Sequence, residues 1–455
     1  MDERDLRINQ LEERLAALVQ ALAERDARIA DLEQQLARRG KVYRPKPNRQ
    51  RKTAETDRRR KSHRQHPGSF RPPPETPESE IQNHDVRPER CSCGCTELAP
   101  TGEVEEHLQV DIPEPKLECR RFRHHPARCK KCGAIVRGQD VREIPNSHIG
   151  LRARLLVGYA RAHLGISLEK TCDLMQQLFG LNLSRAGALG HLKWGSRLCA
   201  PVVARFLELL KQAPVLHADE TGWRINGKNV WAWCFCNPKL AVFLIDEHRS
   251  SEVLRQALGE TFAGTLVTDF YAAYNFLKAK KQRCLTHLLR ELHELSEQIK
   301  PIFVTNHLDP LMAILQDAIA LATRRAELTP RQFKLQRNLI HVQLDRQIQC
   351  RSTCADVRRI YQRIVRHRGE LLTFLDDPQV PATNNLGERD IRSVAAARSD
   401  GGVNRTAWGA TAFARIKSVV RTCQKNGRRF LDYGRQLFAA SLVGQPLPLP
   451  LADTG

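Results

Sequence analysis

Hydrophobic residues recur over residues 1–40 with the alternating three- and four-residue spacing of a heptad repeat. The apolar seam positions are Ile8, Leu11, Leu15, Leu18, Leu22, Ile29, Leu32 and Leu36. Arg25 interrupts this seam, and a polar residue at such a position can set register or partner choice at a cost in stability. The spacing predicts a coiled coil that joins copies of the chain. The alternative is a single amphipathic helix that packs on its own protein.

A segment with few hydrophobic residues follows the predicted coiled coil. From Arg38 it carries "RRGKVYRPKPNRQRKTAETDRRRKSHR" and then "PGSFRPPPETPESE", a basic run followed by a proline-rich spacer. Chains of this composition bury too little apolar surface to offset the entropy that folding removes. We therefore expect a flexible linker that becomes ordered when it meets phosphate.

Two groups of cysteines with metal-binding spacing come next. "RCSCGCTEL" holds Cys91, Cys93 and Cys95, and "ARCKKCGAI" holds Cys129 and Cys132. A C-x2-C-G turn directs backbone amides toward its thiolates, and two such turns can bind one tetrahedral Zn²⁺. The pattern predicts a small DNA-binding ribbon with structural zinc, and it leaves open which two of the first three cysteines bind. Free thiols or a redox pair are the alternative.

The pattern then becomes helical. "SLEKTCDLMQQLFGLNLSRAGALGHL" contains a helix, a turn at Gly180 and a second helix capped by Ser184. This is the spacing of a DNA-binding helix-turn-helix, although any hairpin of two helices has the same pattern. Both interpretations stay open.

Strand periodicity replaces helical periodicity in "PVLHADETGWRINGKNVWAWCFCNPKLAVFLIDEHRS". It predicts a strand that ends at Asp219, a turn at Asn226-Gly227 and two further strands. A short helix at 251–258, the strand "GTLVTDF" that ends at Asp269, and another helix follow. Three antiparallel strands and then a parallel strand reached through a helix begin a ribonuclease-H-like sheet.

The predicted fold class is therefore multidomain α/β, with a ribonuclease-H-like mixed sheet that a helical insertion interrupts. The predicted segments are the coiled-coil helix 1–40, the linker 41–85, the zinc ribbon 86–145, the helical domain 146–212, the first part of the core 213–290, the helical insertion 291–380, the end of the core 381–440 and a tail 441–455.

Asp219 and Asp269 each fall at the end of a strand predicted to be central. Carboxylates at the ends of adjacent strands repel one another unless cations bridge them, and oxygen ligands favour Mg²⁺ or Mn²⁺. Two such ions can activate an attacking oxygen and stabilise a leaving oxygen in phosphodiester displacement. His217 shares a strand face with Asp219, so it is either a neighbour of this site or a hydrogen-bonded core histidine.

A third carboxylate is needed to complete such a site, and Glu388 in "PATNNLGERDIRS" is the candidate. The N-x-x-E spacing from Asn385 predicts a helix that begins near Leu386 and carries Glu388 in its first turn. Arg389 and Arg392 follow on that helix, available for phosphate or for the carboxylates. A glutamate that only caps the helix is the alternative.

The formal net charge of +22 favours a polyanionic partner. We identify no run of about 18 apolar residues, signal peptide or lipidation motif, which disfavours a basic membrane-surface protein. Fourteen cysteines scattered over a large chain favour a reducing cytoplasm over a disulfide framework. We therefore expect a cytoplasmic, nucleoid-associated protein.

Four stretches resemble the transposases of the bacterial insertion sequence 66 family: "LHADET", "VTDFYAAYN", "QRCLTHLLREL" and "TNNLGERDIRS" with the later "RS" and "GG". Those enzymes have an aspartate-aspartate-glutamate triad on a ribonuclease-H-like fold, a leucine zipper, a zinc-binding segment and a helical insertion. The resemblance covers nearly the whole chain. It implies that Asp219, Asp269 and Glu388 are the catalytic residues and the ligands of two Mg²⁺ ions.

The resemblance also implies supporting positions. Cys284 and His287 match the family's cysteine-x-x-histidine feature, Arg290 matches the basic residue just after it, and Arg398 the basic position beyond the glutamate. Cys284 and His287 are two ligands short of a closed zinc site, so helix packing beside the active site is the alternative. Gly387 departs from the pattern, because a helix former such as alanine is expected there.

These features together predict a DNA transposase. It would assemble through its N-terminal helix, release 3′-hydroxyls at element ends and join them to target DNA, with Arg392 or Arg398 meeting the developing charge. The predicted partners are double-stranded DNA of element ends and target, and a second copy of the chain; accessory proteins encoded by the same element are further candidates. Two alternatives stay open: a metal-dependent nuclease without strand transfer, and a non-catalytic DNA-binding regulator.

Overall fold

The computed structural model describes residues 81–87, 89, 95–99, 102, 111–112, 114–138, 140–399 and 404–451. The chain divides into two compact units, Met1–Asp111 and Ile112–Gly455. The predicted coiled coil, most of the linker, Cys91 and Cys93 lie outside the described residues. Within the described part of the chain, no helix combines the length and hydrophobicity that a bilayer span requires.

The second unit contains a small hairpin, a five-stranded sheet and helices. In the sequence, these helices precede, interrupt and follow the strands of the sheet. Its strands are β1 (Ala127–Arg128), β2 (Ile135–Val136), β3 (Val215–Ile225), β4 (Lys228–Cys236), β5 (Ala241–Asp246), β6 (Thr261–Thr268) and β7 (Lys278–Arg283). Its helices are α1 (Leu151–Ala162), α2 (Leu168–Phe179), α3 (Arg185–Lys211), α4 (Ser251–Leu258), α5 (Leu285–Ser296), α6 (Pro301–Phe303), α7 (Asp309–Thr323), α8 (Pro330–Ile348), α9 (Ala355–Arg366), α10 (Thr373–Asp376), α11 (Asn385–Ser399), α12 (Ala407–Lys425) and α13 (Phe430–Leu442).

The large sheet has the strand order β5-β4-β3-β6-β7. β3, β4 and β5 are antiparallel neighbours, whereas β6 lies parallel to β3 and β7 parallel to β6. α4 lies between β5 and β6 in the chain, so it forms the predicted connection to the parallel strand. The predicted order of three antiparallel strands, a helix and a parallel strand is confirmed.

β3 is longer than predicted, because it continues past Asp219 to Ile225. Its parallel pairing with β6 ends at His217↔Val267, but its antiparallel pairing with β4 continues through Ile225↔Lys228. The hairpin with β4 therefore keeps this segment extended. Asp219 lies just beyond the last residue of β3 that pairs with β6.

After Asp269 the predicted helix is a short 3-10 helix, Ala272–Phe276, and the strand β7, which was not predicted, comes before the next α-helix. β7 has the sequence KAKKQR, and Lys281, Gln282 and Arg283 are buried. Their polar groups are satisfied: the Lys281 amine donates to the Leu277 carbonyl, the Gln282 amide to the Leu371 carbonyl, and Arg283 Nε to a Glu370 carboxylate oxygen 2.7 Å away. A strand of this kind has no hydrophobic alternation to mark it.

Two hydrophobic cores support the sheet. One joins the sheet to α1–α4 and α11–α13, and it contains the buried indoles of Trp223 and Trp233. Trp231 is only partly buried and contacts the Arg249 guanidinium. The second core joins the helices of 285–376 to Val215 and Val267 on the sheet. The helices between β7 and α11 thus pack around a second core.

A buried ion cluster connects α11 to α12. Asp390 is 0% exposed, with Arg421 Nε 2.7 Å from one carboxylate oxygen and Lys425 Nζ 2.6 Å from the other. α12 is in turn bonded to β5, because the Ser418 and Thr422 hydroxyls accept hydrogen bonds from β5 amides. The cluster therefore fixes α11 relative to the sheet.

We expect Asp390→Asn to lower the free energy of unfolding by about 3 kcal/mol, because it leaves the buried Lys425 ammonium without a counter-charge. Asp432→Asn is the matched control: it breaks an exposed pair with Arg435 and should cost less than about 1 kcal/mol. Urea denaturation measures both changes. Equal losses would show that the buried cluster contributes no more than a surface pair.

Candidate active site

Asp219 and Asp269 lie beside each other in the middle of the sheet, where the pairing of β3 with β6 ends. The last parallel pair of β3 and β6 is His217↔Val267, and each aspartate follows two residues later, Asp219 within β3 and Asp269 just past the end of β6. Continuing that register places both residues at the same level. The amide of Glu220 donates to Asp219 Oδ1 at 2.9 Å, and the amide of Tyr271 donates to Asp269 Oδ1 at 2.9 Å.

Four carboxylates act on one another at this position. Burial raises the pKa of Asp219 to about 7, and the negative charges of Glu220, Asp269 and Glu388 contribute to that rise. Glu388 comes from α11, far downstream of both aspartates in the sequence. The fold thus brings the three predicted carboxylates within electrostatic reach of one another, which is unfavourable unless cations compensate.

The Glu388 carboxylate contacts the side chains of His287 and Arg392. Its Oε1 lies 3.5 Å from His287 Nδ1, and its Oε2 accepts a hydrogen bond of 3.2 Å from Arg392. Oε1 is buried and makes no hydrogen bond to any described residue. The helix begins at Asn385, one residue before the predicted start. A capping glutamate would bond the Asn385 backbone, so these side-chain contacts disfavour that alternative.

Cys284 and His287 lie next to Glu388. Cys284 is buried just before α5, and His287 follows in the first turn of that helix. The hydrogen bond with Cys284 raises the pKa of His287 to about 9, with Glu388 and Asp269 adding to the effect. Burial alone would raise the pKa of Cys284, but its bonds with His287 and with the Asn384 amide lower it. A cationic imidazole therefore lies among the carboxylates.

Asn384 connects the elements that carry these groups. Its side chain is fully buried; Oδ1 lies 2.9 Å from His217 Nδ1, and Nδ2 donates to the Ala218 carbonyl at 3.0 Å. Its backbone amide donates to Cys284 Sγ at 3.1 Å. His217 is thus the hydrogen-bonded core histidine of the two alternatives. The role of Asn384 was not predicted, although the residue belongs to the "TNNLGER" stretch.

Gly387 is required by this arrangement. A Cβ at this position would lie 2.7 Å from Asn384 Oδ1 and 3.0 Å from its Nδ2, closer than van der Waals contact allows. The departure from a helix-forming residue therefore has a steric cause. Glycine lets the first turn of α11 pass directly against the buried Asn384 amide.

Glu220 was also missed, and it is not free to bind a ligand. Its side chain is only 1% exposed, and it accepts hydrogen bonds from the Tyr274 hydroxyl at 2.5 Å and from Arg249 at 2.8 Å. The Arg249 guanidinium lies 4.1 Å from the Tyr271 ring centre. Period-two alternation places Glu220 on the opposite face of β3 from Asp219, so the sequence offered no signal that Arg249 and Tyr274 would meet it.

The predicted arginines differ in their surroundings. Arg290 lines a pocket of about 290 Å³ together with Asp269, His287 and Arg363. Arg389 is exposed, and Arg392 is 73% exposed while it pairs with Glu388. Arg398 donates to the Gly222 carbonyl, so it attaches α11 to β3. Arg290 and Arg392 are therefore the better placed to meet a phosphate.

Two groups of three side chains have metal-ligating atoms within 4.8 Å of one another in the described part of the chain: Cys284, His287 and Glu388, and Cys234, Cys236 and Asp390. In the second group, Arg421 and Lys425 already neutralise the carboxylate. In the first group, the charge of the His287 imidazole already faces Glu388.

The C-x2-C-G turn connects β1 and β2, and its backbone encloses the Cys129 thiol. Gly133 adopts φ +72° and donates to the Cys129 carbonyl at 2.9 Å. The backbone amides of Cys132 and Lys131 point at the Cys129 thiol and lower its pKa. Cys95 is exposed. The zinc ion and its ligands from the first cysteine group stay predictions.

We expect Gly387→Ala to lower the free energy of unfolding by about 2 kcal/mol, because the new methyl group must displace Asn384 from His217 and Ala218. Gly190→Ala in α3 is the control, since a Cβ there meets nothing within 4 Å. That change should instead stabilise the protein by about 1 kcal/mol through helix propensity. If urea denaturation finds both variants stabilised, the contact with Asn384 is not rigid.

The raised pKa of Asp219 predicts a pH dependence of stability. Between the unfolded value of 3.8 and the folded value of about 7, the folded protein holds a proton that the unfolded chain releases, so stability falls as pH rises. We expect metal-free Asp219→Asn to gain stability relative to the native protein by up to about 4 kcal/mol across that window. Thermal unfolding in EDTA measures the difference; a difference that does not change with pH would refute it.

Comparison with known proteins agrees with this geometry. The sequence pattern of the Transposase IS66 family matches residues 148–412, which include Asp219, Asp269 and Glu388. The uncharacterized protein y4jD of Sinorhizobium fredii (strain NBRC 101917 / NGR234) is 23% identical over 386 residues, 75% of this chain and 73% of its own length. The uncharacterized protein y4qI of the same strain is 23% identical over 300 residues, 59% of this chain and 55% of its own. The family pattern spans more than half of the residues of this chain, so the chain belongs to the IS66 family of transposases.

Proposed function

We propose that this protein is a DNA transposase that cuts element ends and joins their 3′-hydroxyls to target DNA at an aspartate-aspartate-glutamate site. The observation that carries the proposal is that Asp219 and Asp269 lie side by side where the parallel pairing of β3 with β6 ends. The charge of Glu388 on α11 also acts on Asp219. The strand order, with three antiparallel and two parallel strands, supports a ribonuclease-H-like core. Family membership supplies the activity class.

The donor set suits Mg²⁺ or Mn²⁺, because all three groups offer carboxylate oxygens. Bound divalent ions would activate the attacking oxygen and stabilise the leaving oxygen. Asp219, Asp269 and Glu388 would hold them, and the His287 imidazolium would keep Glu388 in place.

Basic groups beside the carboxylates would position the DNA strand. Arg290 lines the pocket next to Asp269, and Arg392 reaches solvent from the helix of Glu388. Guanidinium groups at these positions can hold phosphate oxygens and meet charge that develops on them. Their side chains need no covalent role in either the cutting or the joining step.

The remaining predicted elements would bind DNA and a second copy of the chain. α2 ends at Gly180 with φ +65°, and the Ser184 hydroxyl caps α3 by accepting from the Gly187 amide at 3.0 Å. This supports the helix-turn-helix interpretation without separating it from a simple hairpin. The zinc ribbon, the basic linker and the coiled coil remain proposals, as do accessory proteins of the element and a place on the nucleoid.

A metal-dependent nuclease on the same core is the second candidate, because the same carboxylates can serve hydrolysis of a DNA strand without joining that strand to a target. A strand-transfer assay with DNA ends that already carry a free 3′-hydroxyl separates the two. Joined products with Mg²⁺ support the transposase. Hydrolysis of intact ends without any joining supports the nuclease.

We expect Glu388→Gln to reduce Mg²⁺-dependent nicking and joining of a labelled DNA end by at least about a hundredfold. The exchange keeps the size of the side chain but removes charge that a metal site uses for several kcal/mol of transition-state stabilisation. Binding of the same DNA in EDTA and the melting temperature should stay near those of the native protein.

Glu327→Gln is the matched control for this experiment. Glu327 is an exposed glutamate after α7 whose described ion pair is with Arg324 on the surface. Its exchange should leave nicking, joining and stability unchanged. Full activity of Glu388→Gln would mean that the third carboxylate lies elsewhere.

A further inference from the structure

A second pocket, of about 590 Å³, lies against the first turns of α3 and shares no lining residue with the pocket beside Asp269. One wall is a face of α3 with Gly190, His191, Trp194 and Arg197, which are spaced so that they share one side of a helix. Arg154 of α1 and Phe438 of α13 close the pocket. Its volume lies in the range of about 300–1,000 Å³ that is typical of small-ligand sites.

His191 lines this pocket and carries a buried polar atom without a partner among the described residues. The residue is only 9% exposed, and its buried Nε2 makes no hydrogen bond to any described residue. Burial lowers the pKa of His191, and the charge of Arg154 lowers it further, so the ring is neutral at physiological pH. Buried polar atoms in folded proteins nearly always have a partner. Nε2 is therefore an unusual buried atom beside this pocket.

The rest of the lining combines cationic and aromatic groups. The Arg154 guanidinium lies 5.0 Å from the centre of the Trp194 ring, and that ring lies 5.8 Å from Phe438. Arg197 is exposed at the rim. Such a lining favours a ligand with an anionic group and a planar, largely apolar group.

Gly190 leaves the α3 backbone open within the pocket. A glycine inside a helix lowers its stability relative to alanine, so a structural reason is expected for it. Packing offers none, because a Cβ at Gly190 would meet nothing within 4 Å. The space that it leaves is part of the pocket wall, where a ligand can approach the helix closely.

We propose that this pocket binds one unpaired nucleotide of a DNA strand. Arg197 and Arg154 would hold its phosphate, and Trp194 and Phe438 would contact its base. A paired base is stacked inside the duplex and cannot enter a pocket, so the ligand is a base in a single-stranded tail or one extruded from the duplex. The inference rests on the proposed function, because it takes DNA as the substrate.

The test compares two labelled DNAs by fluorescence anisotropy: a blunt duplex and the same duplex with a short single-stranded tail. The full chain carries Glu388→Gln and the buffer contains EDTA, so that binding is measured without cutting. We expect tighter binding of the tailed DNA. Gly190→Leu, which fills the pocket, and Arg197→Ala should each weaken binding of the tailed DNA about tenfold and leave the blunt duplex unaffected.

Arg205→Ala is the matched control, since it removes an exposed arginine of α3 that does not line the pocket. It should weaken both DNAs equally, and thermal unfolding checks that Gly190→Leu stays folded. The proposal is overturned if the pocket variants also weaken both DNAs equally, or if the tailed DNA has no advantage. Mg²⁺-dependent nicking and joining of duplex DNA by the native protein would uphold the proposed function even then.

Discussion

The buried amide of Asn384 determines how far the helix of Glu388 lies from the sheet. An asparagine fits there because it offers an acceptor to His217 and a donor to the Ala218 carbonyl from a single side chain. An aspartate would lose the donor and place another negative charge beside a group of carboxylates that already repel one another. The neutral Asn384 amide therefore keeps Glu388 near the other acidic side chains despite their mutual repulsion. The buried ion cluster of Asp390, Arg421 and Lys425 fixes the same helix from other side-chain positions of α11 and α12.

Much of the core could be predicted from the sequence, because its strands alternate in hydrophobicity and end at turn residues. Asp219 and Asp269 could be located for the same reason. β7 could not, since Lys281, Gln282 and Arg283 are buried through hydrogen bonds that come from distant parts of the chain. The pattern that marks a strand is hydrophobic, and a strand buried by polar contacts does not show it. The length of β3 was missed because pairing with β4, rather than composition, keeps it extended.

The candidate site was predictable as a set of residue types but not as a set of contacts. The spacing around Glu388 placed it on a helix, while the resemblance placed Cys284 and His287 near the catalytic centre. Neither could show that Arg398 bonds the backbone of Gly222. Nor could either show that Glu220, adjacent to Asp219 in sequence, is engaged by Tyr274. These pairs are far apart in the chain, and only the folded sheet brings them together.

The Arg283 side chain of β7 has a consequence for how the chain can vary. It is 0% exposed, it donates to the Asp269 carbonyl at 2.8 Å, and its partner Glu370 belongs to the helical region between α9 and α10. A chain that lost this helical region would keep a guanidinium inside the protein without a counter-charge, directly behind Asp269. The helical region can therefore not be deleted by itself. A shortened relative would also need a different residue at position 283, so Arg283 and the helical region have to be kept or lost together.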